Sequence, residues 1–148
     1  MKPCFLDTCA VIDLMAGRQA AKEALANFDH LLIGYVVLGE LLLGCKRSPD
    51  PETEFSNLRK LLLNNTWVGA DIPTSVAYAR LGADLEKSGQ RIPQNDLWIA
   101  ALCVRCNLPL ISSDPHFSRL PELQWSSTER APKSLNSGPV LAGRNAPR

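Results

Sequence analysis

A chain of 148 residues, 45% hydrophobic and 21% charged, is long enough for one domain around a single core and has the balance of an ordinary soluble globular protein. No apolar run approaches the length of a bilayer span, and a formal net charge of +1 excludes the bulk basic field that holds nucleic acid by charge alone. Arg130, Lys133, Arg144 and Arg148 against Glu129 make residues 126–148 basic and leave the body net acidic, so a body that handled nucleic acid would need local basic side chains or bound cations.

Met1-Lys2-Pro3 leads straight into an apolar strand. No secretory leader is expected, and the protein is expected in the cytoplasm. The strand, residues 4–6, stops at Asp7-Thr8. A helical pattern covers 9–15, breaks at Gly17 and resumes over 19–28. Residues 31–33 form a second short strand. The run from Tyr35 to Cys45 opens with β-branched residues, as a strand might, but its leucines continue too far, and it reads as a helix. Ser48-Pro49-Asp50-Pro51 breaks the chain. The next helix, 52–64, places Phe55, Leu58, Leu61 and Leu62 on one face.

A strand at 66–68 precedes a helix over 74–87, closed by Ser88-Gly89. Pro93-Gln94-Asn95-Asp96 opens another helix, to 106, which Asn107-Leu108-Pro109 stops. Strands at 110–112 and 123–125 complete the pattern. Short apolar strands alternating with longer helices predict a three-layer α/β/α fold with a central, mostly parallel sheet. The pattern covers 1–125. Residues 126–148, rich in Ser, Pro, Gly, Asn and Arg, are expected to form a disordered basic tail.

Five cysteines, an odd number in a chain expected in the cytosol, argue against a disulfide framework. Cys103 and Cys106 form a C-x-x-C inside a helical run with no second Cys or His pair nearby, which predicts buried free thiols rather than zinc or redox chemistry. Trp67, Trp98 and Trp125 fall in strand or buried-helix patterns and are expected in the core.

Four carboxylates stand out. Asp7 ends the first strand, where an N-cap is its simplest role. Glu40 has Val36, Val37, Leu43 and Gly44 at helical spacing, so it lies on no polar stripe, and a buried unpaired glutamate is rare because desolvating it costs several kcal/mol. Asp96 opens a helix that is apolar nearly all round, where the helix dipole favours it. Asp114 follows a strand and precedes a proline, as in a simple turn.

The three aspartates lie at strand ends or helix starts, one edge of an α/β sheet, and the helix of Glu40 can reach that edge. Two carboxylates about 4 Å apart repel by about 4 kcal/mol at an effective dielectric of about 20. A cluster of four therefore calls for a cation or for protonation. Oxygen ligands with waters favour Mg2+ or Mn2+ over zinc.

The segments Phe5-Leu-Asp-Thr-Cys-Ala-Val-Ile-Asp-Leu14, Val37-Leu-Gly-Glu-Leu-Leu-Leu-Gly44, Asn95-Asp-Leu-Trp-Ile-Ala-Ala101 and Leu110-Ile-Ser-Ser-Asp-Pro-His-Phe117, in this order over residues 3–125, resemble the PIN-domain ribonucleases, and among them the VapC toxins of VapBC toxin–antitoxin pairs. The resemblance implies that Asp7, Glu40, Asp96 and Asp114 are the catalytic, metal-binding set, with Thr8 and Ser112 in support. It implies an Mg2+-dependent endoribonuclease, Mn2+ being a possible substitute, that hydrolyses phosphodiester bonds in tRNA or another structured RNA, leaving a 3′-hydroxyl and a 5′-phosphate. It further implies a cognate VapB-like antitoxin and a homodimer. Serine at 112, where the family more often has threonine, and Gly34-Tyr35 before the glutamate helix are departures from the pattern.

The alternative reading is a catalytically silent RNA-binding or protein-interaction module on the same fold. A phosphotransferase with an Asp nucleophile would need Asp-x-Asp-x-Thr after the first strand, whereas Thr8, Cys9 and Ala10 follow Asp7. No Gly-x-Gly-x-x-Gly or P-loop is present. His116 reads as a surface turn histidine, His30 as a loop residue and Asp13 as part of a solvated helix face. Arg18, Lys46, Arg47, Arg91 and Arg119 are scattered and could contact an RNA backbone, but ordinary solubility explains most of them.

Overall fold

Strand β1 (Pro3–Leu6) buries Cys4, Phe5 and Leu6 together, the mark of a strand covered on both faces. In the computed structural model, which describes residues 1–129, β1 is the middle strand of five. It pairs with β2 (His30–Gly34) on one side and β4 (Leu110–Ile111) on the other. Strand β3 (Thr66–Val68) lies outside β2 and β5 (Trp125–Ser126) outside β4, giving the order β3-β2-β1-β4-β5 with every pairing parallel. Phe5 sits opposite both Leu32 and Leu110, so the register stacks apolar residues through the centre of the sheet.

Six helices connect the strands: α1 (Thr8–Met15), α2 (Gln19–Leu25), α3 (Tyr35–Arg47), α4 (Pro51–Leu63), α5 (Ile72–Lys87) and α6 (Gln94–Cys106). The chain moves from β1 outward to β3, then crosses back to β4. With right-handed crossovers, α1–α4 cover one face and α5–α6 the other. Neighbours agree: α3 packs on α1 and α4, and α5 on α6. The direction reverses between β1 and β4. A crevice at the carboxyl ends of the strands therefore opens between these two, as at the switch point of any such sheet.

Local chemistry sets the helix ends. Asp50 and Asp71 each accept a backbone N–H of the first turn, from Thr53 and Thr74, with proline just inside the helix. Asn107, at φ 54°, ends α6 in the left-handed conformation that asparagine tolerates. Gly34 is favoured by packing rather than by its backbone angle: a Cβ there would lie 2.8 Å from Leu102 Cδ2, which would have to shift. That approach brings the start of α3 against α6.

The α/β architecture expected from the strand–helix alternation is observed, with small shifts. Helix α2 ends at Leu25, short of residue 28. On α4 only Leu58 is fully buried, and Phe55 is 46% exposed. The last strand begins at Trp125. The Ser126 carbonyl accepts the Ser112 N–H, and Thr128 is buried. The rest of the expected tail, residues 130–148, lies outside the described residues. All five cysteines are free, with Cys4, Cys45 and Cys103 buried. Burial pushes the Cys4 thiol up to about 12. Trp98 stacks on Tyr78 with ring centroids 3.9 Å apart. The indoles of Trp67 and Trp125 donate to the carbonyls of Leu62 and Ser112. Among the described residues no helix is long and apolar enough to cross a membrane.

Candidate active site

Asp7 leaves β1 in extended conformation and caps α1, its Oδ1 accepting the Thr8 N–H at 2.8 Å. Capping alone would leave Oδ2 in water. Instead Asp7 is only 6% exposed, and Oδ2 accepts the Ser112 hydroxyl at 2.6 Å. Ser112 has no exposed surface and its Oγ also accepts the Asp114 N–H at 3.0 Å. One buried hydroxyl thus joins the end of β1 to the loop after β4, across the switch point.

Asp114 caps a short 3-10 helix, Pro115–Arg119, by accepting the His116 N–H at 2.9 Å. The tight turn swings His116 back toward the acids. Its Nδ1 lies 3.1 Å from Asp114 Oδ1 and 3.5 Å from Asp96 Oδ2. Asp96, in the first turn of α6, is 16% exposed at its side chain. Its carboxyl is pushed up to about 6, first by burial and then by the charges of Asp7 and Asp114, with His116 pulling the other way.

Glu40, on α3, is likewise raised, first by burial and then by Asp7, while Thr8 beside it draws it down. Its Oε1 and the Thr8 Oγ1 are shielded from solvent and neither makes a well-formed hydrogen bond. Thr8 and Glu40 share the wall of a cavity of about 270 Å3 with Ile12, Met15 and Leu41.

The four acids predicted from the sequence therefore meet, but unevenly. Asp7 is central, since its charge is felt by both Glu40 and Asp96. Among the described residues the tight group of donor atoms, all within 4.8 Å of one another, is Asp96, Asp114 and His116. Asp7 and Glu40 lie beside it rather than in it. Two further residues lie at the site. His116, in the 3-10 turn, is part exposed but faces the cleft. The clue was Asp-Pro opening a 3-10 turn, which returns residue i+2 to the capping carboxylate. Cys9 is the other: its Sγ lies 3.5 Å from both Asp7 Oδ2 and Ser112 Oγ and accepts the Ser113 hydroxyl at 3.2 Å. Of the scattered cations, Arg18 pairs with Asp13 at 3.2 Å, and Arg119 donates to the Arg91 carbonyl.

Like charges held this close in a partly buried cleft need a counter-charge. The shielded Glu40 Oε1 and His116 Nδ1, neither of which makes a well-formed hydrogen bond, are available as ion ligands in a structure where such atoms are normally satisfied. The residues present therefore fit a divalent cation.

A parallel sheet with an acidic cleft at its switch point defines a class, and the comparisons agree with it. The PIN domain family model matches residues 4–123, and the chain belongs to the PIN-domain family, in its VapC branch. It is 33% identical over 117 residues to ribonuclease VapC5 of Mycobacterium tuberculosis, covering 78% of this chain and 85% of that protein. Among solved structures, VapBC-1 of nontypeable Haemophilus influenzae superposes with a TM-score of 0.77 at 27% identity, over 85% of this chain and 98% of that one. VapBC2 of Rickettsia felis, bound to a DNA fragment from its promoter, superposes with a TM-score of 0.77 at 26% identity, over 84% and 98%.

Proposed function

We propose that this chain is an endoribonuclease toxin that depends on a divalent cation, hydrolyses phosphodiester bonds in tRNA or another structured RNA, and is held inactive by a VapB-like antitoxin. Asp7, Glu40, Asp96 and Asp114 would hold the cation; taken alone, their oxygens suit Mg2+, with Mn2+ as a possible substitute. When bound, a divalent ion supplies Lewis acidity toward the phosphate and eases ionisation of the attacking water. The reading places the protein in the cytoplasm as a homodimer.

The observation that carries it is the convergence of Asp7, Asp96 and Asp114 in one partly buried cleft, where burial first, and then the charges of Asp7 and Asp114, raise Asp96 to about 6. A bare cleft of this sign repels a phosphodiester, and a divalent cation held by these acids would offset that repulsion. Ser112 and the Thr8 N–H fix Asp7, and the N–H of His116 fixes Asp114, so the acids are oriented before substrate arrives. In the hydrolysis the water oxygen bonds to phosphorus as the bond to the 3′ oxygen breaks. The 3′ oxygen leaves as a hydroxyl, and the phosphate stays on the 5′ side.

The test is cleavage of a pool of structured RNAs by the purified chain with Mg2+, with Mn2+ and with chelator, followed by sequencing of the new ends. Cut sites that need the ion, carry 5′-phosphates and vanish in Asp7→Asn support the reading. Ion binding without cleavage of any RNA indicates the silent module instead. Cleavage that survives chelator removes the metal from the mechanism.

A further inference from the structure

His116 has an unusual setting for a histidine beside acids. Its Nδ1 is shielded from solvent and makes no well-formed hydrogen bond, although carboxylate oxygens lie 3.1 and 3.5 Å away. A histidine present only to bridge carboxylates would turn an N–H squarely onto one of them. Here the nitrogen is set between two, and backbone constraints hold it there. The His116 N–H is tied to Asp114, Pro115 fixes the start of the turn, and the next side chain, Phe117, is fully buried. The other histidine, His30, is engaged with Thr66 Oγ1 at 2.9 Å.

The spacing matches an ion's coordination shell. Octahedral bonds of about 2.1 Å put neighbouring donors about 3.0 Å apart, close to the separations that His116 Nδ1 keeps from Asp114 and Asp96. We propose that His116 Nδ1 is a direct ligand of the divalent ion shared by Asp96 and Asp114, and that this nitrogen makes the site prefer Mn2+ to Mg2+. The inference rests on the metal-dependent reading above and deepens it. Oxygen donors alone suit Mg2+, which sheds its waters reluctantly and takes oxygen ligands. An imidazole nitrogen adds affinity for transition ions and little for Mg2+.

The test uses the full chain, freed of metal by chelator and dialysis. Mn2+ binding is followed by electron paramagnetic resonance, Mg2+ binding by calorimetry, and pulsed resonance reads 14N coupling to bound Mn2+. The wild-type protein is expected to show coupling from one imidazole. His116→Ala should lose that coupling and weaken Mn2+ binding by about tenfold, while Mg2+ binding changes by less than about twofold. His30→Ala should keep the coupling, and circular dichroism checks that both variants fold. Bound Mn2+ with no nitrogen coupling, or an equal loss for both ions in His116→Ala, overturns the proposal and leaves the nuclease reading standing. A wild-type protein that binds neither ion overturns both.

Discussion

Ser112 donates its hydroxyl to Asp7 Oδ2 at 2.6 Å, joining residues 105 positions apart in the chain. The Ser112 Oγ also accepts the Asp114 N–H, so one buried atom positions two of the four acids. Ser112→Ala removes both bonds without opening a large cavity. Leaving a buried carboxylate oxygen and an N–H short of partners costs about 1–3 kcal/mol. The expected result is a lower denaturation midpoint with an unchanged m-value, together with weaker RNA cleavage. Unchanged stability would show that solvent already reaches these atoms.

Asp96 predicts a pH dependence of stability for the metal-free protein. Its carboxyl is raised from 3.8 to about 6, chiefly by burial and then by Asp7 and Asp114. Between those values the folded chain keeps a proton that the unfolded chain has released. The contribution of Asp96 to stability therefore falls as pH rises through this window and stays low above it. Asp96→Asn carries no such charge. Urea titrations should show wild type losing stability relative to Asp96→Asn between about pH 4 and pH 6.5, while the variant has no RNA cleavage at any pH. Parallel curves for the two proteins would mean that Asp96 is not strained by its neighbours.

Cation binding should reverse that relation. An ion held by Asp96 and its neighbours neutralises their repulsion and displaces the proton, so binding to the folded chain alone stabilises it by about 2.7 kcal/mol at a hundredfold excess over Kd. Differential scanning fluorimetry should show Tm rising with added Mn2+ or Mg2+. The rise should shrink as pH falls below about 6, where protons compete, and should be absent in Asp96→Asn. An equal rise in that variant would locate the ion elsewhere.

Most of this site was legible from residue type and position. Asp7, Asp96 and Asp114 sit where strands end and helices begin, and a parallel sheet gathers such ends on one edge. Glu40 was legible for the opposite reason, since no polar stripe on its helix explains it. What sequence could not show is the unevenness of the cluster. That Asp96 and Asp114 share the close group with His116 depends on where α6 sits on the sheet, which is a matter of tertiary packing. His116 depends on a 3-10 turn, and a turn reading of Asp-Pro leaves the direction of the following side chain open. Phe55 shares the apolar face of α4, but that face is fully buried only at Leu58, and how much of it the sheet covers is not written in its spacing.

Gly34 offers a test of how packing remote from the acids holds them. Its φ of −77° is open to any residue, so Gly34→Ala introduces no backbone strain. The new Cβ, however, would stand 2.8 Å from Cδ2 of the buried Leu102, so the end of that side chain must shift to admit it. Overpacking of this kind costs about 1–3 kcal/mol. Because Gly34 begins the helix that carries Glu40, the displacement should also reduce cleavage. Leu102→Ala alone leaves a cavity worth about 2–5 kcal/mol, but it makes space for the alanine at 34. A double-mutant cycle should therefore give a combined loss smaller than the sum of the two single losses, by about 0.5–3 kcal/mol. Strict additivity would mean that the Gly34–Leu102 contact does not set the seat of α3 on α6.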